Sequence, residues 1–186
     1  MDLNYTSAMR RRQTLVYQLS VFGIVFLVAS CASGPPPTLV DDGRVDYQVQ
    51  TRRVEDDESP YNIHRLAIYR DETDTVELGA ISYSDGRPND YALSVLYTGD
   101  NWRFMDGNMI VRSGDVLYRF SEQVSRQGGY NEAVEERITV VLSPEEFEQI
   151  ALGNNLALEY FPGLVIEIDA PGRRASRRFF EDYGPR

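Results

Sequence analysis

The stretch Tyr91-Ala92-Leu93-Ser94-Val95-Leu96-Tyr97-Thr98 decides the fold. Its bulkiest side chains, Tyr91, Leu93, Val95 and Tyr97, recur at every second residue, and a period of two sets them on one face of an extended strand. The same alternation spreads outward in both directions. Upstream, residues 63–70 and 76–84 are rich in Ile, Val, Leu and Tyr, while Val45, Tyr47 and Val49 alternate with Asp46, Gln48 and Gln50. Downstream, residues 108–112, 116–120 and 135–142 repeat the pattern, and 156–161 and 164–169 flank the Pro162-Gly163 turn. Trp102-Arg103-Phe104 forms a further short segment between turns. Asp85-Gly86, Asp106-Gly107, Gly114-Asp115 and Gly128-Gly129 supply residues that accept positive φ beside these strands, as antiparallel hairpins require.

Two helices interrupt the pattern near the C-terminus. Ser143-Pro144-Glu145-Glu146 combines an N-cap serine, a proline at the first helical position and a glutamate at the third. Phe147, Ile150 and Ala151 follow it, and Gly153 or Asn154 ends the helix. The second helix runs from Pro171 to about Tyr183. Ala175, Phe179, Phe180 and Tyr183 share one of its faces, a spacing suited to docking on a sheet. The expected fold is therefore mainly β: an antiparallel β-sandwich or partly closed barrel of about eight to ten strands with two short helices. The aromatics on its strands, Tyr47, Tyr69, Tyr83, Tyr97, Trp102, Phe104, Tyr118 and Phe120, read as core or cross-strand packing.

The N-terminus follows different rules. Arg10, Arg11 and Arg12 precede the run from Leu15 to Ala29, which is apolar apart from Gln18 and Ser20, and small residues lead to Cys31. This is the layout of a secretory signal, with Met9 an alternative start. At about 15 residues the run is shorter than the roughly 20 needed to span a bilayer as a helix. The string Leu27-Val28-Ala29-Ser30-Cys31 resembles the lipobox of bacterial lipoproteins. That resemblance implies cleavage before Cys31 by signal peptidase II, diacylglycerol on its thiol and an acyl chain on its amine. In those lipoproteins an aspartate after the cysteine favours inner-membrane retention. Ala32 and Ser33 stand here instead, so the expected location is the outer membrane, facing the periplasm.

Residues 1–30 are thus read as a signal peptide, 31–44 as a lipidated tether stiffened by Pro35-Pro36-Pro37, and 45–186 as one β-rich domain. The segment around Asn101-Trp102-Arg103-Phe104-Met105, with the hairpins and helices after it, also resembles uncharacterised periplasmic β domains, a likeness that implies no activity.

Composition narrows the chemistry. Of 186 residues, 19 are arginine and none is lysine, against 29 acidic residues and a net charge of −10. The missing lysine excludes Schiff-base formation, Ser-Lys dyads and pyridoxal phosphate attachment. Without residues 1–30 the chain keeps 16 arginines against 28 acids, a poor general surface for nucleic acid or anionic lipid. His64 is the only histidine, so a multi-histidine metal site is impossible, and without a nucleophile motif it reads as a packed or half-exposed structural residue on the strand face of Leu66 and Ile68. The clusters Asp56-Asp57-Glu58 and Asp71-Glu72-Thr73-Asp74 carry oxygen ligands of the kind calcium takes, but neither follows the EF-hand spacing and both read as solvated turns.

Arg173, Arg174, Arg177 and Arg178 stand out, since they crowd the N-terminal half of the last helix, where the macrodipole is already positive. Pairing of Arg177 with Glu181 and Arg178 with Asp182 offsets this in one reading. In the other, the guanidinium forks grip an acidic protein or a phosphate-bearing envelope polymer. No catalytic residue, metal or cofactor is assigned. The expected function is a non-enzymatic, lipid-anchored envelope protein that binds or assembles with another envelope protein or polymer. A hydrolase using carboxylates or calcium and a barrel that carries a small ligand are the alternatives.

Overall fold

A computed structural model describes residues 47–56, 59–128 and 133–186. The expected signal peptide and tether with Cys31, and Val45, Asp46, Asp57, Glu58 and Gly129, lie outside the described residues.

Among the described residues, ten strands form two antiparallel sheets. The larger contains β1 (Gln50–Val54), β2 (Tyr61–Arg70), β3 (Asp74–Tyr83), β4 (Asp90–Gly99), β7 (Val124–Gln127) and β8 (Val134–Leu142), in the order β1-β2-β3-β4-β8-β7. The smaller contains β5 (Asn108–Ser113), β6 (Val116–Ser121), β9 (Leu156–Phe161) and β10 (Leu164–Glu167), in the order β10-β9-β5-β6. Among the described residues the sheets remain separate and no closed barrel forms, as in a β-sandwich.

The central alternation works as expected. Leu78, Leu93 and Val140 pair across three adjacent strands, and Val76, Val95 and Ile138 do so two residues along. All six are fully buried, and they share one core with Met109, Val111 and Leu158 of the smaller sheet. Tight turns set the hairpin register. At Gly107, φ is +87°, and a Cβ would stand 2.0 Å from the Glu122 carbonyl oxygen, so only glycine fits there.

Helix α1 (Pro144–Leu152) starts at the anticipated capping box: the Ser143 hydroxyl accepts from the Glu146 amide, and the Glu146 carboxylate accepts from the Ser143 amide. It buries Phe147, which stacks on Tyr91 at 4.2 Å between ring centres. Helix α2 (Ala170–Tyr183) is capped by Asp169, whose carboxylate accepts from the Gly172 amide at 2.7 Å. Gly172 lets α2 approach β2 closely, because a Cβ there would meet the Ile68 carbonyl oxygen at 2.2 Å. Phe179 is buried from α2, with Ala175, Phe180 and Tyr183 packed partly against the core.

Four expectations need correction. Tyr47 and Val49 belong to no strand; β1 starts at Gln50, and the two side chains lean on the core from an irregular entry segment. β7 was not anticipated, because Val124 is its one apolar residue and its pairing with β8 is a tertiary contact. The strand proposed for 164–169 stops at Glu167, since Asp169 serves as the cap of α2. Trp102-Arg103-Phe104 is not a strand at all.

Candidate functional site

The departure at residues 102–105 leads to the site. β8 continues its inward phase backward from Ile138 to Glu136, placing a carboxylate where the pattern calls for an apolar residue. Glu136 has no exposed surface. It is satisfied by the connection ahead of β5: one carboxylate oxygen accepts from the Arg103 and Phe104 amides at 2.5 and 2.8 Å, and the other from the Met105 amide at 2.9 Å. Arg126 of β7 adds its Nε to that second oxygen at 3.3 Å and donates an Nη to the Met105 carbonyl at 2.6 Å. A buried carboxylate with four donors holds three successive peptide groups in one geometry.

A second acid completes the lock. Asp74 opens the inward series Asp74, Val76, Leu78, Ala80 and is also buried. The Arg103 guanidinium donates to Asp74 at 2.7 Å and to the Tyr160 hydroxyl, which itself donates to Asp74, and it lies 3.9 Å from the centre of the Tyr97 ring. Burial, reinforced by the bond to Asp74, pushes the Tyr160 phenol far above its ordinary range. For Arg103, burial disfavours the charge, but the bond to Asp74 and the charge interactions with Tyr160, Asp74 and Tyr97 together outweigh it and raise its pKa.

The consequence is an aromatic ring directed outward. Between Arg103 and Met105, both anchored inside, Phe104 adopts φ of +56° and is 70% exposed, the most exposed large apolar side chain among the described residues. It is the one described non-glycine residue with positive φ. Left-handed backbone costs an L-residue about 1–2 kcal/mol, and an exposed phenylalanine forgoes roughly 1.5–3 kcal/mol of burial. Core or cross-strand packing is the expectation for Phe104, and here the structure corrects it: the ring is exposed. Chemically the network is closed: its carboxylates and guanidinium groups are paired with one another. What it does is present a rigid aromatic knob, flanked by the half-buried Trp102.

The other candidates lie elsewhere. His64 is buried as expected, with Nδ1 3.0 Å from the Thr51 hydroxyl, Nε2 2.8 Å from the Ser82 hydroxyl and its ring stacked on Tyr183 at 4.1 Å. Burial lowers its pKa. The Asp71–Asp74 turn is only half solvated. Asp71 caps it by accepting from the Thr73 and Asp74 amides and the Tyr69 hydroxyl; burial alone would raise its pKa, but these bonds outweigh it and bring it below the usual carboxylate value. Asp74, expected in solvent, is instead the buried partner of Arg103. Among the described residues no three metal-ligating side chains come together.

Of the helical arginines, Arg174, Arg177 and Arg178 are exposed and Arg173 is half-buried. The expected Arg177–Glu181 and Arg178–Asp182 pairs do not form: among the described residues no carboxylate lies within 4.0 Å of these four guanidinium groups. Arg173 bonds instead to the Ile168 carbonyl, and Arg177 reaches the Leu152 carbonyl at 3.5 Å.

Glu136, Asp74 and Phe104 escaped sequence reasoning. The usable signal for the two acids was an acidic residue in phase with a buried apolar series; nothing local marks Phe104. Compared with protein-family models, curated proteins and solved structures, the chain has no match. Its function must therefore be argued from its own residues.

Proposed function

We propose that this chain is a lipid-anchored protein of the bacterial cell envelope that works by binding, not catalysis, and docks a second envelope protein through Phe104. The observation that carries this reading is a strained, outward phenylalanine held in place by a fully buried carboxylate. A side chain of this kind serves a partner better than it serves the isolated domain, and buried aromatic anchors dominate protein interfaces. The lipobox ending at Cys31, the proline tether and the absence of lysine support the envelope and non-enzymatic parts, with Ala32 and Ser33 favouring the outer membrane.

The test is affinity isolation of the full chain from crosslinked cells, wild type against Phe104→Ala. The expected result is one discrete envelope protein recovered with the wild type and reduced at least about tenfold with the variant, the effect of losing an interface anchor. Equal recovery with both chains overturns the Phe104 surface, and turnover of an envelope substrate by the purified chain overturns the binding role.

A further inference from the structure

We infer that the arginine face of α2 rests on the anionic phosphate headgroups of the membrane that holds the lipid anchor, and so orients the domain on that surface. The inference depends on lipidation at Cys31 as proposed above. At 100° per residue, Arg173, Arg174, Arg177 and Arg178 form one stripe opposite the buried Gly172, Ser176 and Phe179. Helices gain stability from acids in the first turn and bases in the last, yet α2 has neither and carries the reverse: arginines in its first half, then Glu181 and Asp182 near its end. Among the described residues no carboxylate lies within 4.0 Å of the four guanidinium groups; Arg173 and Arg177 reach only the Ile168 and Leu152 carbonyls, which leaves the positive charge of the stripe without a counterion there. The stripe fits an external anion, because guanidinium forks favour phosphate.

The path of the chain supplies the occupant. Tyr47, where the described fold begins, donates its hydroxyl to Asp169 at 3.2 Å, and Asp169 is the cap of α2. Burial and the nearby Asp169 raise its phenol to about 12, while the charge of Arg174 works in the opposite sense. The chain from the anchor thus enters beside the arginines, and the residues from Cys31 to Tyr47 span at most about 55 Å. The domain's acidic surplus does not prevent contact, because charges more than about 8 Å away are largely screened at physiological salt. The surplus also disfavours the opposite orientation.

Phenylglyoxal, which modifies arginine, tests this on the full chain purified from membranes and reconstituted into vesicles, with sites read by mass spectrometry. Vesicles containing phosphatidylglycerol should slow modification of Arg174, Arg177 and Arg178 about fivefold relative to pure phosphatidylcholine vesicles. The exposed Arg112 on β5 should react equally in both. Equal rates in both vesicles overturn the inference. Equal slowing by inorganic phosphate on phosphatidylcholine vesicles overturns it in favour of a free-anion site, and slowing only in native envelopes overturns it in favour of a protein or polymer partner. The same digest weighs the peptide that begins at Cys31. A bare thiol overturns the anchor and this inference together, whereas an acylated cysteine with unslowed arginines overturns this inference alone.

Discussion

Glu136→Gln is the substitution that interrogates the site most directly, because it keeps shape and volume while changing one acceptor into a donor. Oε1 serves the Arg103 and Phe104 amides; Oε2 serves the Met105 amide and Arg126. Whichever oxygen becomes NH2, two donors lose their acceptor and Arg126 loses its countercharge. Bonds to charged groups are worth about 1.5–3 kcal/mol each, and breaking a buried pair from one side costs about 3–5 kcal/mol. We expect a loss of about 3–5 kcal/mol out of a total near 5–15, lowering Tm by roughly 10–15 °C. Urea unfolding of the full chain measures the loss, with Glu167→Gln on the edge strand β10 as a control that should stay within about 0.5 kcal/mol of wild type. Trypsin supplies a local readout, since without lysine the protein is cut only after arginine. About 3 kcal/mol of local destabilisation raises the opened population at Arg103-Phe104 roughly a hundredfold, and native-state cleavage there should accelerate accordingly. A variant as stable as Glu167→Gln, with no new cut at Arg103, would refute the claim that Glu136 pins the segment.

Two further outcomes follow from the same geometry. Phe104→Gly should be more stable than Phe104→Ala by about 1 kcal/mol, because both remove an exposed ring and only glycine accepts φ of +56° freely; identical melting curves would remove the strained backbone from the account. His64, with its pKa lowered by burial, stays neutral in the fold at pH values where the unfolded chain already takes up a proton. Stability should therefore be full above about pH 6.5, fall as pH drops from there toward the native pKa, and level off below it. His64→Gln should remove that slope in urea midpoints taken between pH 7 and 5, and a slope that survives assigns the effect to another group.

What the sequence revealed and what it concealed divide along the range of the interactions. Strands with period-two patterning, the glycine turns and the Ser143–Glu146 box are set by residues within a few positions of one another, and they appear where the pattern places them. β1 and β7 are edge strands whose polar residues exist as strands through pairing with β2 and β8. Trp102-x-Phe104 imitates a strand because its aromatics have the right spacing, yet its backbone is dictated by a carboxylate 32 residues away and by a cluster joining Asp74 to Tyr160, 86 residues apart. The helical arginines misled in a related way. At i, i+4 with base before acid the pairing is the weaker order, and the backbone carbonyls of Ile168 and Leu152 took the donors instead.

Arg103 shows why a chain without lysine suits this architecture. Its guanidinium carbon lies over the face of the Tyr97 ring while one Nη donates to both Asp74 and the Tyr160 hydroxyl. A planar fork with several fixed donors meets these demands at once. An ammonium group, compact and strongly hydrated, would have to give up its water to enter the same half-buried space and could not stack as a plane. The side chain that closes the buried network is also one residue from Phe104, so its position fixes where the exposed ring emerges. Packing and presentation are the same event here: the charges neutralised inside the sandwich determine the direction of the most exposed large apolar side chain among the described residues.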